Sequence, residues 1–576
     1  MVELLTKKVY RQTLASIVAS IQPKMKYASL LKMVHCGVTI FRVNLSWFNK
    51  LRTDEWITKL REIEKIAVDE QLVLGIMLDT KGPEFRVRNL RKQSVPLDVN
   101  QKGPVYAPGK KGFIYKRGQK VILTLDQRAK TRPDQIVVEA PANTAFLRRN
   151  KNVVFGDGDY EAAIESDRDE QSMFIRPLQT MCVWEGAKVN FPGTEVTASA
   201  LSPEDQEILK FFIETQRELN LDPRVNFMFA QSFIKSVRDV QRLADFLQDT
   251  MKIKDPIIIA KLETYESSLP QNLHSIINEA SAVMIARGDL ANETSRGKLP
   301  RLQRQIIKVA KQFNKPVLLA TQVYGSMKDF RRTNCARPEA EDVRSALELG
   351  VDGFVLTGET TERPLNPELV VEALAEQIKD DEKDLINTEK GNDHGTNHYE
   401  RLREVERIAF HQSMWKQMRD PSLSDEMRST LGTTDFAIAA VFRGNQYGAI
   451  GIFPFTVHGR TVREMGRFYS EIAIFPICPS PEVATSLLLC RCTHPVLVKM
   501  KGRELEEFYM DDIKALVPRI VKELGLRETN ENARYAICTM AHPPLQPGGT
   551  DTLLRIRIDE TQNSTRRRKR IRKRMA

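Results

Sequence analysis

Eight short apolar runs recur along the chain up to Thr357: Ser16–Ile21, Val38–Val43, Leu72–Leu78, Val225–Ala230, Pro256–Leu262, Ala282–Ala286, Pro316–Ala320 and Gly353–Thr357. Helix-length amphipathic segments lie between them, among them Glu55–Glu70, Pro203–Leu219, Ser236–Lys252, Leu302–Asn314 and Pro338–Leu349. A parallel strand covered on both faces needs a short continuous apolar run, and parallel pairing needs a crossover helix to bring the chain back. Eight such β–α units predict an α/β fold, a closed parallel (β/α)8 barrel of the TIM type.

One interval breaks the rhythm. From about Val87 to Lys188 the chain is rich in β-branched residues, glycine and proline, with little helical periodicity. It reads as a small all-β domain, a β-barrel lid inserted after the third strand at the face where such barrels carry their chemistry. The expected organisation is a catalytic barrel at 1–86 and 189–386, the inserted domain at 87–188, a further α/β domain at 396–559 and a basic tail at 560–576. A polar linker around 387–395 precedes the α/β domain.

With 576 residues the chain is long enough for three or four domains, and 41% hydrophobic with 28% charged residues is ordinary globular composition. Eight of the twelve net positive charges sit at Arg566–Arg568, Lys569, Arg570, Arg572, Lys573 and Arg574, which leaves +4 for the rest. The body is therefore not composed as a nucleic-acid-binding surface. The tail reads as a nuclear address, a tether to an anionic surface or a solvated end, and its partner stays unassigned. Seven scattered cysteines without a Cys-x-x-Cys pair fit a reducing cytosol. No run reaches the ~18 apolar residues of a membrane span, and Met1–Lys8 lacks a secretory apolar core.

Polar residues gather where the apolar runs end. Leu78-Asp79-Thr80-Lys81-Gly82-Pro83-Glu84-Phe85-Arg86 presents a carboxylate and a hydroxyl at the end of the third run, and Gly82-Pro83 turns the chain away. Lys261 and Glu263 are two apart, so they share one face of an extended strand. Ala286-Arg287-Gly288-Asp289 follows the next run. Glu263 and Asp289 then form an oxygen pair of the kind Mg²⁺ favours when a phosphate supplies further ligands, and the backbone N–H groups after Gly288 offer a cradle for a substrate carboxylate. Ala320-Thr321-Gln322 and Leu356-Thr357-Gly358-Glu359-Thr360 close the last two runs with hydroxyls. Arg42, Asn44 and Ser46 alternate on one face near the start. Each piece alone also reads as a capping acid, a surface ion pair or a plain turn. Their recurrence at successive strand ends favours a catalytic mouth.

These pieces resemble the pyruvate kinase family over nearly the whole chain except the tail. The matching motifs are Arg42-Val43-Asn44-Leu45-Ser46, the Asp79–Arg86 run, Phe155-Gly156-Asp157-Gly158, Lys188-Val189-Asn190-Phe191-Pro192-Gly193, Ser232-Phe233, Lys261-Leu262-Glu263, Ala286-Arg287-Gly288-Asp289-Leu290, Ala320-Thr321-Gln322 and Leu356-Thr357-Gly358-Glu359-Thr360. The resemblance implies phosphoryl transfer from phosphoenolpyruvate to ADP, giving ATP and pyruvate, by a cytosolic homotetramer. It implies Glu263 and Asp289 as Mg²⁺ ligands and Asn44, Ser46, Asp79 and Thr80 as K⁺ ligands. Arg42, Lys261, Gly288, Asp289 and Thr321 would contact substrate, with Lys261 neutralising the passing phosphoryl group, Thr321 delivering the enolate proton and Arg42 clamping phosphate. Arg86 falls on the nucleotide side. Glu84 matches the acid of K⁺-dependent members. The inserted domain would close over nucleotide.

The departures are specific. Trp47 replaces the histidine after Asn-x-Ser, Ala291 the glycine after Asp-Leu, Thr264 the asparagine after Lys-x-Glu, and Gly325 the glutamate after Thr-Gln-x-x. Thr-Ile-Gly-Pro becomes Ser20-Ile21-Gln22-Pro23, and Lys-Lys-Gly-Val-Asn becomes Gly186-Ala187-Lys188-Val189-Asn190. In the C-terminal block, Thr456, Gly459, Arg460 and Thr461 resemble the family's phosphate-binding effector loop, with His458 for its serine. His542–Thr552 matches the second effector loop only loosely. Two functions follow as expectations: an active pyruvate kinase, or a catalytically impaired paralogue serving as a subunit or scaffold. Intact metal ligands favour the first; the altered nucleotide side favours the second.

Overall fold

The computed structural model describes residues 2–8, 13–91, 95–96, 111–140, 152–156, 158–169, 171–192, 199–294, 297–363, 365–387, 425–468, 470, 472–500, 510–526, 533–540 and 552–558. The basic tail, the linker around 388–395 and most of the second effector loop lie outside the described residues.

Eight strands close into one barrel in chain order: Ser16–Ile21, Val38–Asn44, Leu74–Asp79, Val225–Gln231, Ile258–Leu262, Ala282–Ala286, Val317–Ala320 and Gly353–Leu356. The eighth runs parallel to the first, with Val355 opposite Val18. Six of the strands differ from the apolar runs by a residue or two, and two of these start after a proline, which has no N–H to give a ladder. The fifth strand starts at Ile258 rather than Pro256, and the seventh at Val317 rather than Pro316. The third starts later than expected and ends on Asp79, so that acid is a strand residue.

The described residues fall into two compact units, one within 1–78, 212–229 and 310–576 and the other within 79–211 and 230–309. In the first unit the helix Thr53–Asp69 starts with Asp54 and Glu55, whose charge complements the N-terminal dipole. It buries Trp56, Leu60, Ile63 and Ala67, a 3–4 spacing that makes one apolar stripe. The same unit holds the C-terminal α/β elements. There Ile452–Pro454 pairs parallel with Tyr535–Met540, which pairs antiparallel with Thr552–Arg557. Val2–Leu4 pairs antiparallel with Val496–Met500, a long-range pairing that three N-terminal residues do not announce. Phe453, Ile477, Val496, Val517 and Cys538 are buried in this block's core.

In the second unit, the described residues of the inserted segment form strands and turns without a helix, as its composition predicts. Seven strands close into a small barrel in the order Asn152–Phe155, Tyr160–Asp169, Ser172–Pro177, Val121–Thr124, Gln135–Glu139, Phe85–Arg88 and Lys188–Asn190. Its end strands reach slightly beyond the expected 87–188. Val87, Tyr115, Leu123, Val138, Phe155 and Ile175 fill it and are fully buried. The expected helix Ser236–Lys252 is α-helical only over Val237–Asp245 and widens to a π-turn over Phe246–Thr250. Asp239 fixes its start by accepting the N–H groups of Lys235 and Ser236, both at 3.0 Å. Among the described residues no helix is long and apolar enough to cross a membrane.

Candidate active site

The fifth barrel strand is apolar except at Lys261, and alternation sends Lys261 and Glu263 to the same side. Lys261 Nζ is 2.9 Å from Asp79 Oδ1, 2.9 Å from Glu263 Oε1 and donates to Ser232 Oγ at 2.6 Å. All three charged groups are buried, so the ammonium and its two carboxylates act at far lower dielectric than in water. Ser232 Oγ donates its own hydrogen bond to the Thr80 carbonyl at 2.6 Å, and Ser232 N–H donates to Thr80 Oγ1 at 3.0 Å. The hydroxyl is thereby oriented to accept from Lys261.

Glu263 is committed on both oxygens: Oε1 to Lys261, and Oε2 to the Phe233 N–H at 2.8 Å. Burial raises its pKa above the usual carboxylate value; the Lys261 ammonium opposes this, and Asp289 and Asp79 add to it. Phe233 takes a left-handed φ of 55° to aim that N–H. Gly82 allows the close turn opposite it. Its φ is 67°, and a Cβ there would stand 2.8 Å from the Phe233 ring and 3.1 Å from Ser232 Cβ. Asp205, fully buried, holds this turn by accepting the N–H groups of Lys81 at 2.8 Å and Gly82 at 3.3 Å, with the Ser202 hydroxyl at 2.6 Å.

Beside this cluster stands a second one. Glu84 Oε2 accepts Arg86 Nε at 2.7 Å, Arg86 also donates to the Gly186 carbonyl at 2.9 Å, and Glu84 Oε1 lies 3.4 Å from Lys188 Nζ. Lys188 Nζ contacts Asp289 Oδ1 at 2.5 Å. Burial pulls the Lys188 pKa down, but the Asp289 and Glu84 carboxylates outweigh it and the net shift is upward. An open cleft of about 520 Å³ borders the cluster, lined by Glu84, Lys188, Phe233, Lys235, Glu266 and Glu293. Burial pushes the Glu293 carboxyl up to about 8, against a hydrogen bond from Asn190 that lowers it.

Of the expected site residues, Asp79, Thr80, Arg86, Lys261, Glu263, Gly288 and Asp289 belong to this unit. In the other unit Arg42 is buried and donates to Ser20 Oγ at 2.8 Å. Asn44 Oδ1 accepts the Ser46 N–H at 3.0 Å, in a 3-10 turn that leaves Trp47 42% exposed. Thr321 and Gln322 follow the seventh strand with φ of 68° and 53°. Left-handed backbone at two consecutive non-glycine residues is costly, and such strain collects at functional positions. Glu359, fully buried, accepts the Val323 N–H at 3.2 Å and the Thr357 N–H and hydroxyl at 2.7 and 3.0 Å. That acid holds the Thr357 turn, which the sequence offered as a hydroxyl-rich loop. In the effector-type loop Thr456 Oγ1 accepts the Gly459 N–H at 2.8 Å, Gly459 precedes the helix Arg460–Arg467, and Thr461 is buried.

Sequence reasoning gave no role to Ser232, Phe233, Asp205, Lys188 or Glu359. Ser202-Pro203-Glu204-Asp205 carried a signal, a serine cap three residues before an acid. Nothing local flagged Glu359 as a clamp or Lys188 as a partner of Asp289. Among the described residues no group of three or more His, Cys, Asp or Glu side chains is gathered to hold a metal.

The model of the pyruvate kinase barrel domain matches residues 11–368, and that of the pyruvate kinase alpha/beta domain matches 435–556. A pyruvate kinase of Staphylococcus aureus (strain MRSA252) is 24% identical over 553 residues, covering 95% of this chain and 81% of the relative. One from Candida albicans is 27% identical over 505 residues, 86% of each chain. The crystal structure of a pyruvate kinase from Cryptosporidium parvum shares the fold with a TM-score of 0.73 at 21% identity, over 95% of this chain and 97% of that one. Matched along both its barrel and its C-terminal α/β region, the chain belongs to the pyruvate kinase family.

Proposed function

We propose that this protein transfers the phosphoryl group of phosphoenolpyruvate to ADP and protonates the resulting enolate, yielding ATP and pyruvate. The observation that carries the reading is the Lys261 ammonium held by Asp79, Glu263 and Ser232 in a buried site. An ammonium fixed before substrate arrives can oppose the charge of a phosphoryl group in transit without reorganising. Arg42 would clamp phosphate, Thr321 would lie on the proton path to the enolate carbon, and Gly288 with Asp289 would meet the substrate carboxylate. Arg86 would approach the nucleotide from the small barrel.

The donor set fits hard cations. Glu263 and Asp289 are oxygen ligands, and the structure already seats an ammonium against each. Bound there, Mg²⁺ would neutralise phosphate charge, leaving most of its positions to water and substrate oxygens. Asn44, Ser46, Asp79 and Thr80 would hold K⁺, which adds a monovalent charge beside the phosphate. Glycolysis as the pathway, a cytoplasmic setting, a homotetrameric assembly, the domain limits given above and a phosphate-binding role for Thr456, Gly459, Arg460 and Thr461 belong to the same reading.

Incubating purified protein with phosphoenolpyruvate, ADP, Mg²⁺ and K⁺ and following phosphorus NMR tests it: phosphoenolpyruvate should disappear as ATP appears. A second reading, an impaired paralogue acting as a subunit or scaffold, is favoured by one observation. Lys188 sits on Asp289 in a segment, Gly186-Ala187-Lys188, that lacks the family's two adjacent lysines. Retained binding of phosphoenolpyruvate without turnover would select it.

A further inference from the structure

Lys188 stands where the family pattern has glycine, and it brings a second cation to the site. Its strand, Lys188–Asn190, pairs antiparallel with Phe85–Arg88, with Lys188 opposite Arg86. From there Nζ reaches Asp289 Oδ1 at 2.5 Å and Glu84 Oε1 at 3.4 Å, 5.3 Å from the centre of the Phe233 ring. Two residues on, Asn190 Nδ2 donates to Glu293 Oε1 at 3.2 Å. Residues 188 and 190 share one face of a strand, and 289 and 293 share one face of the helix Arg287–Glu293. Strand and helix are therefore joined by two polar contacts in matching register. The Lys188 and Asp289 side chains are 16% and 14% exposed, so water screens their attraction weakly. The joint is also imperfect: among the described residues Asn190 Oδ1 is buried and accepts no hydrogen bond, an unmet acceptor that disfavours the docked strand.

We propose that Lys188 is a built-in competitor of the divalent metal. Its ammonium occupies Asp289 in the metal-free protein, and a metal ion binding Asp289 displaces it and frees the strand Lys188–Asn190 from the helix Arg287–Glu293. The inference rests on the reading of Asp289 as a metal ligand. Its physical basis is that a dication and a touching ammonium on one carboxylate repel each other in a poorly screened site. Metal affinity is thereby lowered, and metal binding is coupled to release of a small-barrel strand.

The test is an electron-spin-resonance titration of Mn²⁺ on the full chain without substrate or nucleotide, comparing wild type, Lys188→Met and Asp289→Asn. Lys188→Met should bind Mn²⁺ on the order of tenfold more tightly than wild type, the loss of one charge-assisted contact, and Asp289→Asn should lose the site. Independently of any variant, hydrogen exchange at the wild-type Lys188–Asn190 amides should speed up when Mn²⁺ is added. Equal or weaker binding by Lys188→Met would overturn the competition. If Lys188→Met does not fold, unchanged wild-type exchange at saturating Mn²⁺ would overturn it. Absence of Mn²⁺ binding in both wild type and Lys188→Met would instead remove Asp289 as a metal ligand, and the competition with it.

Discussion

Lys261 Nζ stands 2.9 Å from Glu263 Oε1, with the two side chains 9% and 3% exposed. Lys261 lies in the fifth barrel strand and Glu263 one residue past its end, and Asp79 and Ser232 complete the shell around the ammonium. The pair's energetics are asymmetric. Forming it from water gains little net energy, whereas removing one partner strands a buried charge.

Lys261→Met should therefore cost about 3–5 kcal/mol of folding stability at neutral pH. Without the opposing ammonium, burial would hold the Glu263 folded pKa further above its unfolded one. The loss should shrink as pH falls and Glu263 takes up a proton. Denaturant titrations of wild type and variant at two pH values check this, and a pH-independent difference would contradict the buried pair.

Glu293 gives a pH dependence of its own. Burial raises its folded pKa to about 8 from an ordinary 4.5. A raised folded pKa means the native state holds the proton more tightly. The associated stability is fully present below 4.5 and is lost as pH rises towards 8. Glu293→Gln, which cannot ionise, should flatten that decline and be more stable than wild type at pH 8, with little difference near pH 4.5. Parallel thermal-melting profiles for the two proteins would refute the shift.

Much of the architecture was legible because it depends on repeated local patterns. Eight apolar runs with intervening amphipathic segments marked the large barrel, and a β-branched stretch marked the small one. Strand-end chemistry placed Asp79, Lys261, Glu263 and Asp289 as candidates because alternation and strand termination are local rules. What stayed hidden depends on contacts distant in sequence. Asp205 reaches back to the Lys81–Gly82 turn, Lys188 reaches forward to Asp289, and Val2–Leu4 finds Val496–Met500. Glu359 looked like part of a hydroxyl-rich loop, and only its neighbours show that the carboxylate fixes the loop's shape.

The Gly82 turn is the tightest fit next to Phe233. Gly82→Ala would place a methyl 2.8 Å from that ring in a left-handed backbone, at a cost of roughly 1–3 kcal/mol from overpacking. Because Phe233 N–H binds Glu263, turnover should fall along with stability. A variant with wild-type melting temperature and turnover would show that the turn tolerates a side chain.

Replacing K⁺ by tetramethylammonium, which is too large for a site of side-chain oxygens, should lower turnover by roughly tenfold or more, equivalent to about 1.4 kcal/mol of barrier. Steady-state rates in the two salts at equal ionic strength decide it. Equal rates would remove Asn44, Ser46, Asp79 and Thr80 as a monovalent-ion site.

The most direct test of the proposed chemistry is a coupled assay of pyruvate release from phosphoenolpyruvate and ADP, run on wild type and Lys261→Met under conditions where both are folded. The account predicts turnover by wild type and a loss on the order of 10³-fold in the variant, the scale of removing a fixed charge-stabilising donor. No pyruvate from folded wild-type protein, or equal rates from the two proteins, would contradict it.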